Sequence, residues 1–131
     1  VYSLRRIISL HFSLSSLACL CLSLGWSTAY ASHILIVGDS LSAAHQIPIA
    51  SGWVRIIEHR LKTDYPNIKV INASISGDTT GNGLQRLPSL LKQFPPAIVV
   101  IELGGNDGLR GLPLTDIEKN LAKMIELAKE V

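Results

Sequence analysis

The chain has 131 residues, which is enough for one domain and too few for two. Hydrophobic residues make up 47% of it and charged residues 17%, the balance of a packed globular protein. Arg5 and Arg6 account for the formal net charge of +2, because the rest of the chain has ten Lys and Arg against ten Asp and Glu. With this balance and no run of like charge, the sequence shows no electrostatic footprint for nucleic acid.

Residues 1–31 have the pattern of a secretory signal peptide. Arg5-Arg6 form a basic start, an apolar stretch follows, and Ala29-Tyr30-Ala31 fits the small-x-small cleavage pattern. The apolar stretch is long for a signal, so an uncleaved membrane anchor is the alternative. We expect cleavage before Ser32, export to the periplasm or the cell exterior, and one mature domain, residues 32–131, without stable membrane insertion.

Three short apolar runs, residues 34–37, 69–73 and 97–103, are typical of buried parallel strands because they are rich in Ile and Val. Each run ends in a small polar loop that contains glycine. In an open parallel sheet such loops lie together at the carboxyl edge, which is where ligands bind. The loops are Gly38-Asp39-Ser40-Leu41, Ser74-Ile75-Ser76-Gly77-Asp78 and Gly104-Gly105-Asn106-Asp107.

The segments between and after these strands have apolar residues at helical spacing. The first helix is predicted from about Gly52 to the turn at Pro66. A second is predicted to start within residues 78–80, all good N-caps, and to kink or restart at Pro88. A third is predicted from residues 115–118, which resemble a capping box. Strands alternating with helices predict an α/β fold whose parallel strands are joined by right-handed crossovers.

Ser40 is the candidate nucleophile because it follows the first strand directly. A serine hydroxyl attacks a carbonyl carbon only when a base removes its proton and donors stabilise the oxyanion. The loops offer three donors: the backbone N–H of Ser40, the backbone N–H of Gly77 and the side-chain amide of Asn106. Each donor of this kind is typically worth about 3–4 kcal/mol in the transition state.

Three carboxylates, those of Asp39, Asp78 and Asp107, lie in the same loops. Asp39 and Asp107 are predicted to fix the loops by accepting backbone N–H groups, with a direct catalytic role as the alternative. Hard cations take oxygen ligands, so a metal site formed by all three is a further alternative. The spacings of phosphate-binding glycine loops do not occur in the sequence.

The base is not evident among the four histidines. His11 lies in the signal segment, and His59 falls on the polar face of the first helix. His33 precedes the first strand, roughly 15 Å from Ser40 at ~3.3 Å per residue. His45 is the candidate nearest to Ser40 along the chain, although a loop histidine there is more often part of a pocket wall than a base.

The three loops resemble the sequence blocks of the GDSL or SGNH hydrolase superfamily. Gly38–Ala43 resembles the first block, Gly77 lies in the second, and Glu102–Gly111 resembles the third. The closest resemblance is to the bacterial branch that contains thioesterase I, protease I, lysophospholipase L1 and arylesterases, which also carries these longer first and third runs. The resemblance extends from about Ile34 to Val131.

The resemblance implies a flavodoxin-like, three-layer α/β/α sandwich with a parallel sheet. It also implies hydrolysis of acyl esters, thioesters or lysophospholipids, without a cofactor or a metal. The residues it implies are Ser40 as nucleophile and oxyanion donor, Gly77 and Asn106 as further oxyanion donors, and Gly38, Asp39 and Asp107 in support.

The superfamily completes its catalytic triad with a C-terminal Asp-x-x-His block, which does not occur in these 131 residues. We therefore expect the chain to be the N-terminal portion of a longer hydrolase, with the base histidine and its aspartate in a C-terminal part that is missing here. The alternative is a catalytically incomplete module that binds acyl chains or carbohydrate without turnover. The oligomeric state is not predicted.

Overall fold

The computed structural model describes residues 33–131, so the predicted signal peptide lies outside the described residues. The strands are β1 His33–Gly38, β2 Lys69–Asn72 and β3 Pro96–Glu102. The α-helices are α1 Trp53–Asp64, α2 Thr80–Gln93, α3 Gly105–Leu109 and α4 Leu114–Lys129. A single 3₁₀ turn, Ile49–Ser51, precedes α1. Within residues 33–131, none of the helices is both long and apolar enough to cross a membrane.

The three strands form one parallel sheet in the order β2-β1-β3, which confirms the predicted α/β fold. Residue Ile36 of β1 pairs with Asn72 of β2, and Gly38 pairs with Glu102 of β3. After β1 the chain adds β2 at one edge of β1, and after β2 it crosses over to add β3 at the opposite edge of β1. Because parallel crossovers are right-handed, this reversal places α1 and α2 on opposite faces.

The main core lies between one face of the sheet and the helices α2 and α4. It is formed by Leu35 and Val37 of β1, Leu87 and Leu91 of α2, and Met124 of α4, all buried. Burying each such side chain stabilises the fold by about 1.5–3 kcal/mol. The buried Ile36 points to the other face, since successive side chains of a strand alternate. The sheet therefore has layers on both faces, as expected for an α/β/α sandwich.

Burial differs between the central and the outer strands. β1 is buried from Leu35 to Gly38, as the apolar run predicts. The prediction that the other two strands are buried is wrong for the described residues, because Ile98 of β3 is 53% exposed and Lys69 of β2 is also exposed. Within residues 33–131, each outer strand pairs only with β1, and its other edge has no neighbouring strand. Apolar side chains beside that edge therefore lack neighbours that would cover them there.

The start of α2 follows the sequence prediction. Thr79 is its N-cap: the Thr79 hydroxyl accepts the backbone N–H of Asn82, while the Asn82 side chain accepts the backbone N–H of Thr79. This capping box satisfies N–H groups that the first turn of a helix leaves without partners. The helix then continues through Pro88 to Gln93 as one element, so no new helix begins at the proline.

The predicted capping box at Thr115 is wrong. Helix α4 begins one residue earlier, at Leu114, and its N-cap Pro113 makes no side-chain capping bond. The Pro113 carbonyl already accepts the backbone N–H groups of Asp116 and Ile117, so Thr115 lies inside the first turn and cannot cap it. Position, rather than residue type, decides whether a threonine caps a helix.

Candidate active site

The loops after the three strands meet at the carboxyl edge of the sheet. They lie beside the switch point between β1 and β3, where the connections from β1 and from β2 leave in opposite directions across the sheet. The Ile75 N–H donates to the Gly38 carbonyl at 3.0 Å, which joins the first loop to the second. The Asn106 amide nitrogen donates to Asp39 Oδ2 at 3.0 Å and to the Asp78 carbonyl at 2.9 Å. The third loop is thus bonded to both of the others.

Ser40 lies two residues past the end of β1 and is partly exposed. A tight turn begins there, in which the Ala43 N–H donates to the Asp39 carbonyl at 2.9 Å and the His45 N–H donates to the Ser40 carbonyl at 3.0 Å. The Ser40 hydroxyl has no hydrogen-bond partner among residues 33–131. The turn therefore presents this hydroxyl at the surface of the sheet edge.

The N–H groups of Ser40 and Gly77 find no acceptor in the described part of the chain. Gly77 has a φ of +87°, in the region that residues with a side chain rarely adopt. Its carbonyl is held by Arg110, whose Nη2 donates to it at 2.8 Å. A glycine therefore allows the second loop to turn sharply at this position while its N–H stays available.

Asn106 lies on α3, a short helix that the glycine-rich sequence does not predict, because glycine and asparagine are poor helix formers. The side-chain amide has two hydrogens, and both acceptors it contacts belong to neighbours of the other two candidate donors. Asp39 precedes Ser40, and Asp78 follows Gly77. Both hydrogens are thus engaged, so any further acceptor at this amide must share or displace one of these bonds.

Asp39 and Asp107 both accept backbone N–H groups, as in the first of the two roles considered for them. Asp39 is 3% exposed, and its Oδ1 accepts the Leu41 N–H at 3.0 Å. Asp107 is 1% exposed; its Oδ2 accepts the N–H of Thr80 at 2.8 Å and its Oδ1 accepts the Thr80 hydroxyl at 2.5 Å. Asp107 thus caps the first residue of α2 with a negative charge, which the helix N-terminus favours.

Asp78, the third carboxylate of the metal alternative, accepts a hydrogen bond from Arg86 Nε at 2.8 Å. Its partner therefore differs from those of Asp39 and Asp107. Within residues 33–131, no three His, Cys, Asp or Glu side chains lie close enough together to hold a metal ion. The donors around these carboxylates are the protein's own amides, hydroxyl and guanidinium.

Gly38 is needed because the chain is crowded at the end of β1. A Cβ at this position would lie 2.6 Å from Ser42 Oγ, closer than such atoms approach, and 3.0 Å from Ser74 Oγ, a tight contact. Ser42 in turn donates to Glu102 Oε2 at 2.8 Å, and its carbonyl accepts the Asn72 side-chain N–H at 2.8 Å.

Ser42 therefore joins the carboxyl ends of all three strands, since Asn72 ends β2 and Glu102 ends β3. Sequence reasoning missed this role for Ser42 and for both of its partners. The available signal was that each partner is a polar residue at the end of an apolar run.

The described histidines do not supply a base beside Ser40. His45 is exposed, and it contacts Ser40 through its backbone N–H rather than its ring. The His33 ring lies at the amino end of β1, 3.4 Å from the Pro95 carbonyl. His59 is exposed on α1. Within residues 33–131, a histidine is therefore missing from the site.

A serine at the carboxyl end of a parallel strand, next to backbone N–H groups without acceptors, is the kind of arrangement that serine hydrolases use. The chain belongs to the GDSL-like lipase/acylhydrolase family, which matches residues 36–131. This confirms the resemblance identified from the three loops.

Among curated proteins, the chain is 50% identical over 111 residues to esterase TesA of Pseudomonas aeruginosa, covering 85% of this chain and 55% of that protein. It is 55% identical over 97 residues to an arylesterase of Vibrio mimicus, covering 74% of this chain and 48% of that protein. It is 42% identical over 106 residues to thioesterase 1/protease 1/lysophospholipase L1 of Escherichia coli K12, covering 81% of this chain and 50% of that protein. The chain thus spans about half the length of the curated relatives it matches.

Solved structures confirm the fold class. The crystal structure of TesA superposes with a TM-score of 0.73 at 49% identity, over 76% of this chain and 55% of that one. The psychrotrophic esterase EstA from Pseudoalteromonas sp., in a structure inhibited by monoethylphosphonate, gives a TM-score of 0.70 at 43% identity, over 76% of this chain and 54% of that one.

Proposed function

We propose that the protein is an exported serine hydrolase that cleaves carboxylic esters and thioesters through an acyl-enzyme on Ser40. The observation that carries this proposal is the meeting of the three loops around Ser40. The Ser40 and Gly77 N–H groups have no acceptor in the described residues, and the Asn106 amide is bonded to a neighbour of each. Similarity to esterases, an arylesterase and a thioesterase supports the same reaction.

In the proposed reaction, Ser40 Oγ loses its proton to a base and bonds to the acyl carbon. The carbonyl oxygen becomes an oxyanion, which accepts hydrogen bonds from the N–H groups of Ser40 and Gly77 and from the Asn106 amide. The carbon–oxygen or carbon–sulfur bond to the leaving group then breaks, and the proton passes from the base to that alcohol or thiol. Water attacks the Ser40 ester in the same way and releases the carboxylic acid.

We assign the base to a histidine held by an aspartate, both outside these 131 residues. The described histidines do not reach the Ser40 hydroxyl, and the chain spans about half the length of its curated relatives. Asp39 and Asp107 are unsuited to serve as the base, because their oxygens already accept hydrogen bonds from the loops. Export follows from the signal-peptide pattern of residues 1–31.

The surroundings of Ser40 favour acyl substrates, including thioesters and lysophospholipids. Exposed aliphatic side chains lie in the first two loops and after the third: Leu41 is 70% exposed, Ile75 is 52% exposed, and Leu109, at the end of α3, is 88% exposed. Burial of exposed aliphatic groups by a ligand is favourable, because it removes apolar surface from water. An acyl chain lying on them would remove this surface from water.

The experiment is hydrolysis of a short p-nitrophenyl acyl ester by the protein expressed from its complete reading frame, by Ser40→Ala and by Asn106→Ala. We expect Ser40→Ala to lose nearly all turnover. Asn106→Ala should lower kcat by about 10²–10³-fold, as removal of one oxyanion donor does elsewhere. Unchanged hydrolysis by Ser40→Ala would end the proposal.

A fluorophosphonate probe tests the competing idea of a binding module. A serine hydrolase becomes covalently labelled at Ser40, whereas a module that only binds acyl chains or carbohydrate does not. The same ester assay on residues 32–131 alone locates the base. Turnover by this short protein through Ser40 would mean that the base, for example His45, lies within it.

A further inference from the structure

Arg86 is the one charged side chain of α2 that reaches into the loops of the site. Its side chain is 20% exposed, and that of its partner Asp78 is 13% exposed. Nε donates to Asp78 Oδ2 at 2.8 Å, Nη1 donates to the Ala73 carbonyl, and Nη2 lies 3.5 Å from the Gly38 carbonyl. One guanidinium thus contacts both loops that carry the backbone oxyanion donors.

The three residues that Arg86 contacts are close in sequence to the two backbone donors, the N–H groups of Ser40 and Gly77. Gly38 ends β1 and comes two residues before Ser40, while Ala73 follows β2 and Asp78 comes directly after Gly77. The contact with Gly38 adds to the bond that its carbonyl accepts from the Ile75 N–H. The guanidinium therefore lies between the two loops and limits how far one can move from the other.

An oxyanion hole depends on this spacing. Its donors must lie about 2.7–3.1 Å from the position of the oxyanion, so a small displacement of one N–H weakens stabilisation of the transition state. A displacement of about 1 Å at a catalytic group can cost about 10²-fold in rate. A guanidinium suits this task because its donors have a fixed planar geometry, which the single amine of lysine does not reproduce.

We propose that Arg86 is a positioning residue that holds the N–H groups of Ser40 and Gly77 at the spacing an oxyanion needs. This inference rests on the proposed function. It assigns to Arg86 an effect on the transition state, beyond stabilising the fold. Arg86 itself contacts no reacting atom in this proposal and acts through the two loops.

The test compares Arg86→Met, Arg86→Lys and the wild type in the full-length protein, with the ester assay expressed per active site titrated by the fluorophosphonate. We expect Arg86→Met to lower kcat by about 10–100-fold while KM stays within about threefold. Arg86→Lys should recover only part of this loss. The matched control is Arg55→Met, which removes an exposed arginine paired with Glu58 on α1 and should leave kcat unchanged.

A boronic acid that forms a tetrahedral anion on Ser40 separates positioning from folding. Its inhibition constant should rise in Arg86→Met by the same factor as kcat/KM falls, because both depend on the oxyanion donors. A merely structural role would reduce the fraction of titratable sites or the thermal midpoint. It would leave the inhibition constant and kcat/KM per titrated site equal to those of the wild type. That result would overturn the proposal.

Two further measurements keep the outcomes distinct. If Arg86→Met does not fold, Asp78→Asn weakens the same contact from the other side and should give the same split between kcat and KM. The amide signals of Ser40 and Gly77 in the NMR spectrum should move in Arg86→Met, and unchanged signals would overturn the role of Arg86 without any reference to turnover. If wild-type turnover does not depend on Ser40, the proposed function fails, whatever the NMR spectra show for Arg86.

Discussion

Replacing Asp107 by Asn should lower the free energy of unfolding by about 2–4 kcal/mol. In the wild type, one oxygen accepts the backbone N–H of Thr80 and the other accepts its hydroxyl, with the carboxylate 1% exposed. Asn keeps one acceptor oxygen and replaces the other by an NH₂ group, so one of the two bonds that Thr80 donates to this side chain is lost. The loss of a hydrogen bond to a charged acceptor costs about 1.5–3 kcal/mol. Loss of the charge at the N-terminus of α2 adds about 0.3–1 kcal/mol.

The assay is equilibrium unfolding of the full-length protein in urea, followed by circular dichroism and extrapolated to water. Asp116→Asn is the matched control, because Asp116 lies in the first turn of α4 and is exposed. It removes the same charge near a helix N-terminus without breaking a buried hydrogen bond, so we expect a loss below about 1 kcal/mol. The contrast between the two variants isolates the buried contact with Thr80.

Enzyme activity then distinguishes the two roles considered for Asp107. If it fixes the loop, Asp107→Asn should lose stability while kcat per titrated site falls by less than about tenfold, since Asn106 next to it can still donate. Thr80→Ala should destabilise less when Asp107 is already Asn, because the two side chains share one interaction. Unchanged stability with a fall in kcat of about 10³-fold would refute this reasoning and make Asp107 catalytic.

Other substitutions test the packing and the outer contacts of the site. Gly38→Ala places a Cβ 2.6 Å from Ser42 Oγ, so it should cost about 1–3 kcal/mol, and an unchanged thermal midpoint would contradict the crowding. Leu87→Ala removes a fully buried side chain and should cost about 2–5 kcal/mol in urea unfolding, against about 0.5 kcal/mol or less for Leu109→Ala, which is 88% exposed. Arg110→Met removes an exposed bond to the Gly77 carbonyl and should lower kcat by no more than about tenfold with little change in stability. A larger fall would mean that Arg110 contacts the substrate or that it too sets the position of the Gly77 N–H.

The fold class could be predicted because its signals are local. Apolar runs of four to seven residues bounded by glycine, with helical spacing between them, are sufficient for parallel strands and crossover helices. The two wrong predictions, the Thr115 capping box and the burial of the outer strands, concern features that local sequence does not decide. The Thr115 capping box depends on where a helix begins, and the exposure of Ile98 depends on which strand lies next to it.

The sequence by itself determined that Ser40, Gly77 and Asn106 follow three strands, so that they had to meet at one edge of a parallel sheet. Only the tertiary structure decided which side chains hold that edge together. Ser42 and Glu102 are 60 residues apart, and Arg86 reaches back 48 residues to the Gly38 carbonyl. Such contacts depend on strand order and helix placement, which bring together residues that no local pattern relates.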